Sequence, residues 1–393
     1  MKIQQAEYIW LDGATPVQRL RSKSRIIALS NNDPITIKSF PNWSFDGSST
    51  YQAGGNDSDL LLKPVSFIKD PMRGADNFLV LCEVFNSDGT PHITNTRARL
   101  RRVLEEGAAQ SESWIGFEQE YTLMKGNSPL GFPAEGYPSP QGPYYCGVGA
   151  DIVFGRPLVE AHTRACIEAG IMIYGINAEV MPGQWEFQIG YRGLKGESAD
   201  PLTVSDHLWF SRWLLIRVAE NFGVVVTFAA KPVKGDWNGA GMHTNFSTNA
   251  TRNTVTGLEE IGRAIKALNS KHGEHIAVYG DGLEERLTGL HETCSIDEFR
   301  SGVADRGASI RIPLQVASQG YGYLEDRRPA ANADPYLVSA RLLETICGAA
   351  AQAENNGSDE KDARGFWKTG SFSPFHQPST RSDGPYSGEF IGE

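Results

Sequence analysis

A chain of 393 residues is longer than one hydrophobic core usually serves, so two domains are expected. With 40% hydrophobic and 10% aromatic residues it has the composition of an ordinary globular protein, and a net charge of -10 without any long basic run argues against nucleic acid as the main partner. No segment reaches the ~20 apolar residues of a membrane helix, so no membrane partner is expected.

The opening residues Met1-Lys2-Ile3-Gln4-Gln5 hold no apolar leader. Cys82, Cys146, Cys166, Cys294 and Cys347 are an odd, scattered set without paired metal spacing, which fits reduced thiols in the cytoplasm. Residues 1–94 read as a first domain of short strands and turns. Ala6–Leu11, Arg25–Leu29 and Phe78–Phe85 are strand-like, with turns at Asp12-Gly13, Asn31-Asn32-Asp33-Pro34 and Asn86–Gly89. From Asn42 to Asp59 the chain is rich in Gly, Ser and Asp and reads as one long ordered loop, of the kind that often carries function.

A helix over Arg97–Glu106, capped by Thr94 or Thr96 and closed by Gly107, opens a larger second domain over residues 95–393. The strand Trp114–Leu123 follows, then a Pro- and Gly-rich loop from Ser128 to Gly149. Helices are expected at Arg156–Ala169, Asp200–Phe222, Gly257–His272 and Asp334–Glu354. Strands are expected at Ala178–Val180, Trp185–Ile189, Val224–Ala229, Met242–Ser247, Ser309–Ile312 and Gly322–Glu325. An irregular tail begins at about residue 355.

Several of these strands carry ionisable groups on one face. Glu118 and Glu120 share a face of Trp114–Leu123, while Phe117, Tyr121 and Leu123 point the other way. Two acids side by side in an apolar strand repel each other unless a cation or a proton lies between them. Glu186 and Gln188 alternate with Trp185, Phe187 and Ile189, and Glu179 lies just upstream. His243, Asn245 and Ser247 share a face, as do Tyr323, Glu325 and Arg327, and Arg311 sits opposite Ile310 and Ile312. One polar-faced strand is usually a solvated face. Five, each with bulky apolar residues opposite, point to a buried polar site. Carboxylates with one histidine suit Mg²⁺ or Mn²⁺ rather than a structural zinc. Such a cation with arginines nearby is the usual apparatus for phosphoryl transfer from ATP. No P-loop, kinase-type glycine loop or Rossmann motif accompanies it, so Arg306, Arg311 and Arg327 and the cations would hold the phosphates.

Trp43-x-Phe45-Asp46-Gly47-Ser48-Ser49-Thr50, Phe117–Leu123, Asn177–Gln188, Gly239–Asn245 and Glu325-Asp326-Arg327-Arg328-Pro329 together resemble type II glutamine synthetases, over residues 6–347. The resemblance implies an α+β fold: a small β-grasp domain, then a larger catalytic domain (ATP-guanido-kinase-like) with a curved antiparallel sheet flanked by helices. It implies ATP-dependent ligation of ammonia to L-glutamate through γ-glutamyl phosphate, with two or three Mg²⁺ or Mn²⁺ ions per site. It also implies a homo-oligomer, a decamer of two pentameric rings, with each site shared between adjacent subunits. The alternatives are a γ-glutamyl ligase for another amine and a non-catalytic structural relative.

By the same resemblance, one metal takes Glu120, Glu179 and Glu186, and the other Glu118, His243 and Glu325. Asp46, lent by the neighbouring subunit, binds and deprotonates ammonium in a pocket with Ser49, Tyr145 and the flap residue Glu292. Glutamate meets Glu120, Asn238, Gly239, Arg286, Glu292, Arg306 and Arg327. ATP meets Glu118, Glu186, Asn245, Ser247, Arg306, Arg311, Tyr323 and Glu325. Arg327 also contacts the transferring phosphoryl group. Asp305 stands where this family usually has Asn, Ser44 replaces a common Asn, the tail past Phe372 overruns the usual end, and the adenylylation loop of type I enzymes has no counterpart.

Overall fold

In a computed structural model of the chain, which describes residues 1–30, 33–74 and 76–348, the N-terminal part is a five-stranded sheet. Its strands are β1 (Lys2–Leu11), β2 (Leu20–Leu29), β3 (Trp43–Asp46), β4 (Asp59–Lys69) and β5 (Phe78–Phe85), in the spatial order β2-β1-β5-β4-β3. β1 and β5 run parallel and the other neighbours antiparallel. The period-two alternation of these strands buries both faces. Tyr8, Trp10, Val80 and Cys82 pack into a small core of this sheet alone, whereas Ile9, Leu79 and Leu81 join the main core.

The rest of the described chain runs α1 (Thr96–Glu105), β6 (Trp114–Lys125), β7 (Ser128–Pro129), α2 (Arg156–Ala169), β8 (Ile173–Ala178), β9 (Gln184–Gly190), α3 (Pro201–Glu220), β10 (Val225–Thr227), β11 (Met242–Ser247), α4 (Gly257–Ser270), α5 (His272–Ile276), α6 (Leu283–Arg286), β12 (Ser301–Val303), β13 (Ile310–Ile312), α7 (Leu314–Gln319), β14 (Leu324–Asp326) and α8 (Pro335–Cys347). Among the described residues a nine-stranded sheet follows the path β12-β13-β14-β11-β6-β9-β8, with β7 and β10 also paired to β6. Its pairings are antiparallel except β12 with β13. β6 is central. Phe117, Tyr121 and Leu123 are wholly buried on its rear face beneath α2 and α3.

Helix boundaries follow local chemistry. Asp200 caps α3 by accepting from the N–H groups of Leu202 and Thr203, with Pro201 at the first helical position. α2 ends on Gly170 in the left-handed conformation. Four expectations are corrected. α1 is capped by Asn95, whose side chain accepts from Ala98 N; the Thr94 hydroxyl is already engaged by Gln52 and His92. The Asn42–Asp59 stretch holds β3 and a short 3₁₀ turn at Gly47–Thr50. Strand β8 precedes Glu179 instead of containing it, because Gly183 at φ 74° and the Gln184 N–H bonded to Met181 O turn the chain there. Lys271, at φ -114° and ψ 16°, breaks the expected Gly257–His272 helix into α4 and α5. The turn at Asn31-Asn32, the end of the expected Asp334–Glu354 helix and the tail lie outside the described residues. No helix of the described residues is long and apolar enough to cross a membrane.

Candidate active site

The front face of the large sheet floors a cavity of about 610 Å³. Cross-strand register assembles its acids: Glu118 of β6 lies opposite His243 of β11 and Gln188 of β9, and Glu120 lies opposite Glu186. Gln119, between the two glutamates, turns rearward into the core. There the buried Arg212 of α3 donates to its side-chain oxygen and to the carbonyls of Ala331 and Ala333. That clasp fixes β6, and with it the direction in which Glu118 and Glu120 point.

Glu118, His243 and Glu325 offer ligand atoms within 4.8 Å of one another, and so do Glu120, Glu186 and His243. His243 Nδ1 lies 3.5 Å from Glu118 and 3.6 Å from Glu325. The first trio is the set expected from the sequence. In the second, Glu179 lines the cavity outside the tight cluster, because it follows β8 and is held by Asn177 Nδ2 at 2.9 Å and by the Val180 N–H. Arg311 and Arg327 both donate to the Glu325 carboxylate, at 2.5 and 2.6 Å. Arg286 donates to the carbonyls of Arg327 and Arg328 and faces His243 Nε2 at 3.1 Å.

The electrostatics show too little positive charge. Burial first, then Glu120, pushes Glu179 up to about 8. Burial, then Glu118, Glu120 and Glu179, pushes Glu186 up to about 9. Glu120 is raised by burial, against the pull of Arg286. Burial, then Arg327, holds His243 neutral and so able to act as a ligand. Buried carboxylates that crowd one another beside a neutral imidazole, with oxygen donors predominating, fit Mg²⁺ or Mn²⁺.

Tyr145, Asn238, Gly239, Glu292 and Arg306 also line the cavity. A Cβ at Gly239 would lie 2.7 Å from Arg286 Cγ, so only glycine fits there. Asn245, Ser247 and Tyr323 do not line the cavity. Asn245 donates to Glu118 at 2.9 Å, and Ser247 accepts from Arg252, which lies over Trp114. Tyr323 is 40% exposed. Asp46 and Ser49 are not among the residues that line the cavity of this single chain. The Asp46 carboxylate is exposed, and hydrogen bonds from Ser48, then Ser49, lower it to about 2. Asp305 does not line the cavity, and it accepts from the Gly307 N–H at 2.8 Å. Gln141, Asn177, Gln188, His291 and Thr293 line the cavity and had been given no role. Gln188 shares its strand face with Glu186, and that periodicity was the available signal.

Family models for the glutamine synthetase β-grasp domain and the glutamine synthetase catalytic domain match residues 2–87 and 94–266. The chain is 55% identical over 352 residues to a glutamine synthetase of Streptomyces viridochromogenes, covering 88% of this chain and 98% of that protein. It is 54% identical over 351 residues to a chloroplastic glutamine synthetase of Chlamydomonas reinhardtii, covering 87% and 90%. The chain belongs to the glutamine synthetase family. The fold is shared with a Plasmodium falciparum glutamine synthetase solved by cryo-electron microscopy, at TM-score 0.69 and 17% identity over 89% of this chain and 72% of the other. It is shared also with an apo GmaS, at TM-score 0.65 and 20% identity over 88% and 78%.

Proposed function

We propose that the cavity joins ammonia to the side-chain carboxylate of L-glutamate, with ATP cleaved to ADP and phosphate. The observation that carries this reading is the pair of carboxylate trios meeting at His243, ringed by Arg286, Arg306, Arg311 and Arg327. Glu118, His243 and Glu325 would hold one divalent cation, and Glu120 and Glu186, joined by Glu179, another. Bound there, the cations neutralise phosphate charge and polarise the reacting oxygens.

Asn238, Gly239 and Arg286 orient glutamate. Arg311 lies toward the nucleotide, with Asn245, Ser247 and Tyr323 beyond it. Arg306 and Arg327 stabilise the phosphoryl group in flight. Transfer turns a poor electrophile into γ-glutamyl phosphate. Asp46 and Ser49, lent by the adjacent subunit, complete an ammonium pocket with Tyr145 and Glu292. Its hydroxyl partners keep Asp46 ionised, which suits cation capture. Docking against the next subunit's acidic cavity raises its affinity for the proton that ammonium must lose.

In this reading residues 1–94 form the domain that lends Asp46, residues 95–393 the catalytic domain, and ten subunits in two rings the working cytoplasmic enzyme. The test is glutamine formation by the pure protein given Mg²⁺, ATP, glutamate and ammonia; no product overturns the reading. Native mass measurement tests the ten-subunit count.

A further inference from the structure

His291 and Glu292 stand out in the backbone. Both are in the left-handed region, at φ 52° and 58°, and among the described residues no other two adjacent non-glycine positions share that conformation. Side chains with a Cβ persist there only where their surroundings hold them. The turn is closed locally by Thr293, whose N–H and hydroxyl both donate to Leu290 O, and the His291 imidazole ties it to the segments around it. Its Nδ1 faces Gln141 Nε2 at 3.0 Å and its Nε2 faces Asp236 Oδ1 at 3.1 Å. A single neutral tautomer satisfies both contacts: Nδ1 accepts from the amide and Nε2–H donates to the carboxylate.

The two partners sit on separately anchored loops. The Gly142 N–H donates to Val180 O at 3.0 Å, which fixes the first loop beside Glu179. Gln184 of β9 donates to Gly239 O at 2.8 Å, which fixes the second. His291 thus joins three chain segments around one cavity. Its neighbour Glu292 faces the reacting region: its carboxylate is 4.0 Å from Arg306, and its carbonyl accepts from Arg327 at 3.4 Å.

We propose that His291 is a positioning residue for Glu292, tying the 290–293 turn across the cavity so that water stays away from the activated glutamate. The inference rests on the glutamine-forming reading above. If the turn loosens, water attacks the acyl carbon of γ-glutamyl phosphate. The bond from that carbon to the phosphate oxygen breaks, and glutamate, inorganic phosphate and a proton are released without ammonia.

The experiment measures phosphate and glutamine released by the full-length oligomer of wild type, His291→Ala, His291→Gln and Asp236→Ala, with and without ammonia. Wild type is expected to release the two in equal amounts. His291→Ala releases several-fold more phosphate than glutamine and releases phosphate without ammonia. His291→Gln, which keeps an N–H donor near the reach of Nε2, recovers part of the coupling. Asp236→Ala, which cuts one exposed tie and leaves the fold untouched, uncouples in the same direction. Equal amounts in all three variants overturn the inference, and so does a higher KM for glutamate with the ratio unchanged, which marks a substrate contact instead. Wild type that forms no glutamine overturns the glutamine-forming reading as well, so the two failures are distinct.

Discussion

Glu120 and Glu186 are direct cross-strand partners, two buried carboxylates facing each other across the central pair of the large sheet. Like charges so placed destabilise a sheet. The arrangement is tolerable with protons or cations between them, and three outcomes follow for the metal-free protein. Glu179, at about 8, and Glu186, at about 9, bind protons in the folded state that the unfolded chain releases near 4.5. Metal-free stability therefore falls as pH rises from about 5 toward 9. Mn²⁺ or Mg²⁺ at a hundredfold excess over its Kd stabilises by about 2.7 kcal/mol and raises Tm. Binding at neutral pH expels protons, which calorimetry in buffers of different ionisation enthalpy detects; Glu186→Gln reduces both the proton release and the Tm shift.

In the proposed reading Asp46 and Glu325 act in one reaction from different subunits. Asp46→Asn and Glu325→Gln are each expected to lower activity by at least ~100-fold. Dissociating and reassembling a mixture of the two should restore activity at about a quarter of the sites, those pairing an intact Asp46 with an intact Glu325. No recovery, with mixed oligomers shown to have formed, argues against a shared site.

Burial holds His162 at about 4, its Nε2–H donating to Ser211 O at 3.0 Å and its ring edge-on to Phe187. The unfolded histidine takes up a proton near 6.5 and the folded one only near 4, so stability is lost as pH falls through that window. Between pH 7 and pH 5 the loss is on the order of 2 kcal/mol. His162→Gln should remove this part of the acid sensitivity, read from urea midpoints at pH 7 and pH 5.

Asp326 and Arg328 form a fully buried, doubly bonded pair behind the site, with Tyr279 also donating to Asp326 at 2.7 Å. Asp326→Ala strands the guanidinium without its partner and is expected to cost about 3–5 kcal/mol. Replacing both residues by apolar ones of similar volume should cost less, and a double-mutant cycle on thermal unfolding measures the difference.

The cavity floor was legible because period two is a local property. Glu118, Glu186, Gln188, His243, Arg311 and Glu325 could be assigned to faces one strand at a time, with Phe117, Phe187 and Ile310 marking the opposite side. Strand pairing was less visible. That His243 lies in both clusters depends on register between β6, β9 and β11, which no single strand carries. Boundaries failed where a distant group intervened: Thr94 looks like a helix cap until Gln52, 42 residues away, occupies its hydroxyl. His291 was missed because its role comes from three loops meeting, and loop meeting has no period.

The two-faced N-terminal sheet has a consequence for synthesis on the ribosome. Ile9, Ile68, Leu79 and Leu81 belong to the main core, yet α2 and α3, which help close that core over β4 and β5, begin only at Arg156 and Pro201. Translation at about 5–20 residues per second leaves that apolar surface bare for several seconds after β5 has emerged. Over that interval the nascent chain would present a surface of the kind hydrophobic-surface chaperones bind, and a stall before α3 would leave a sticky half-molecule instead of a free-standing domain.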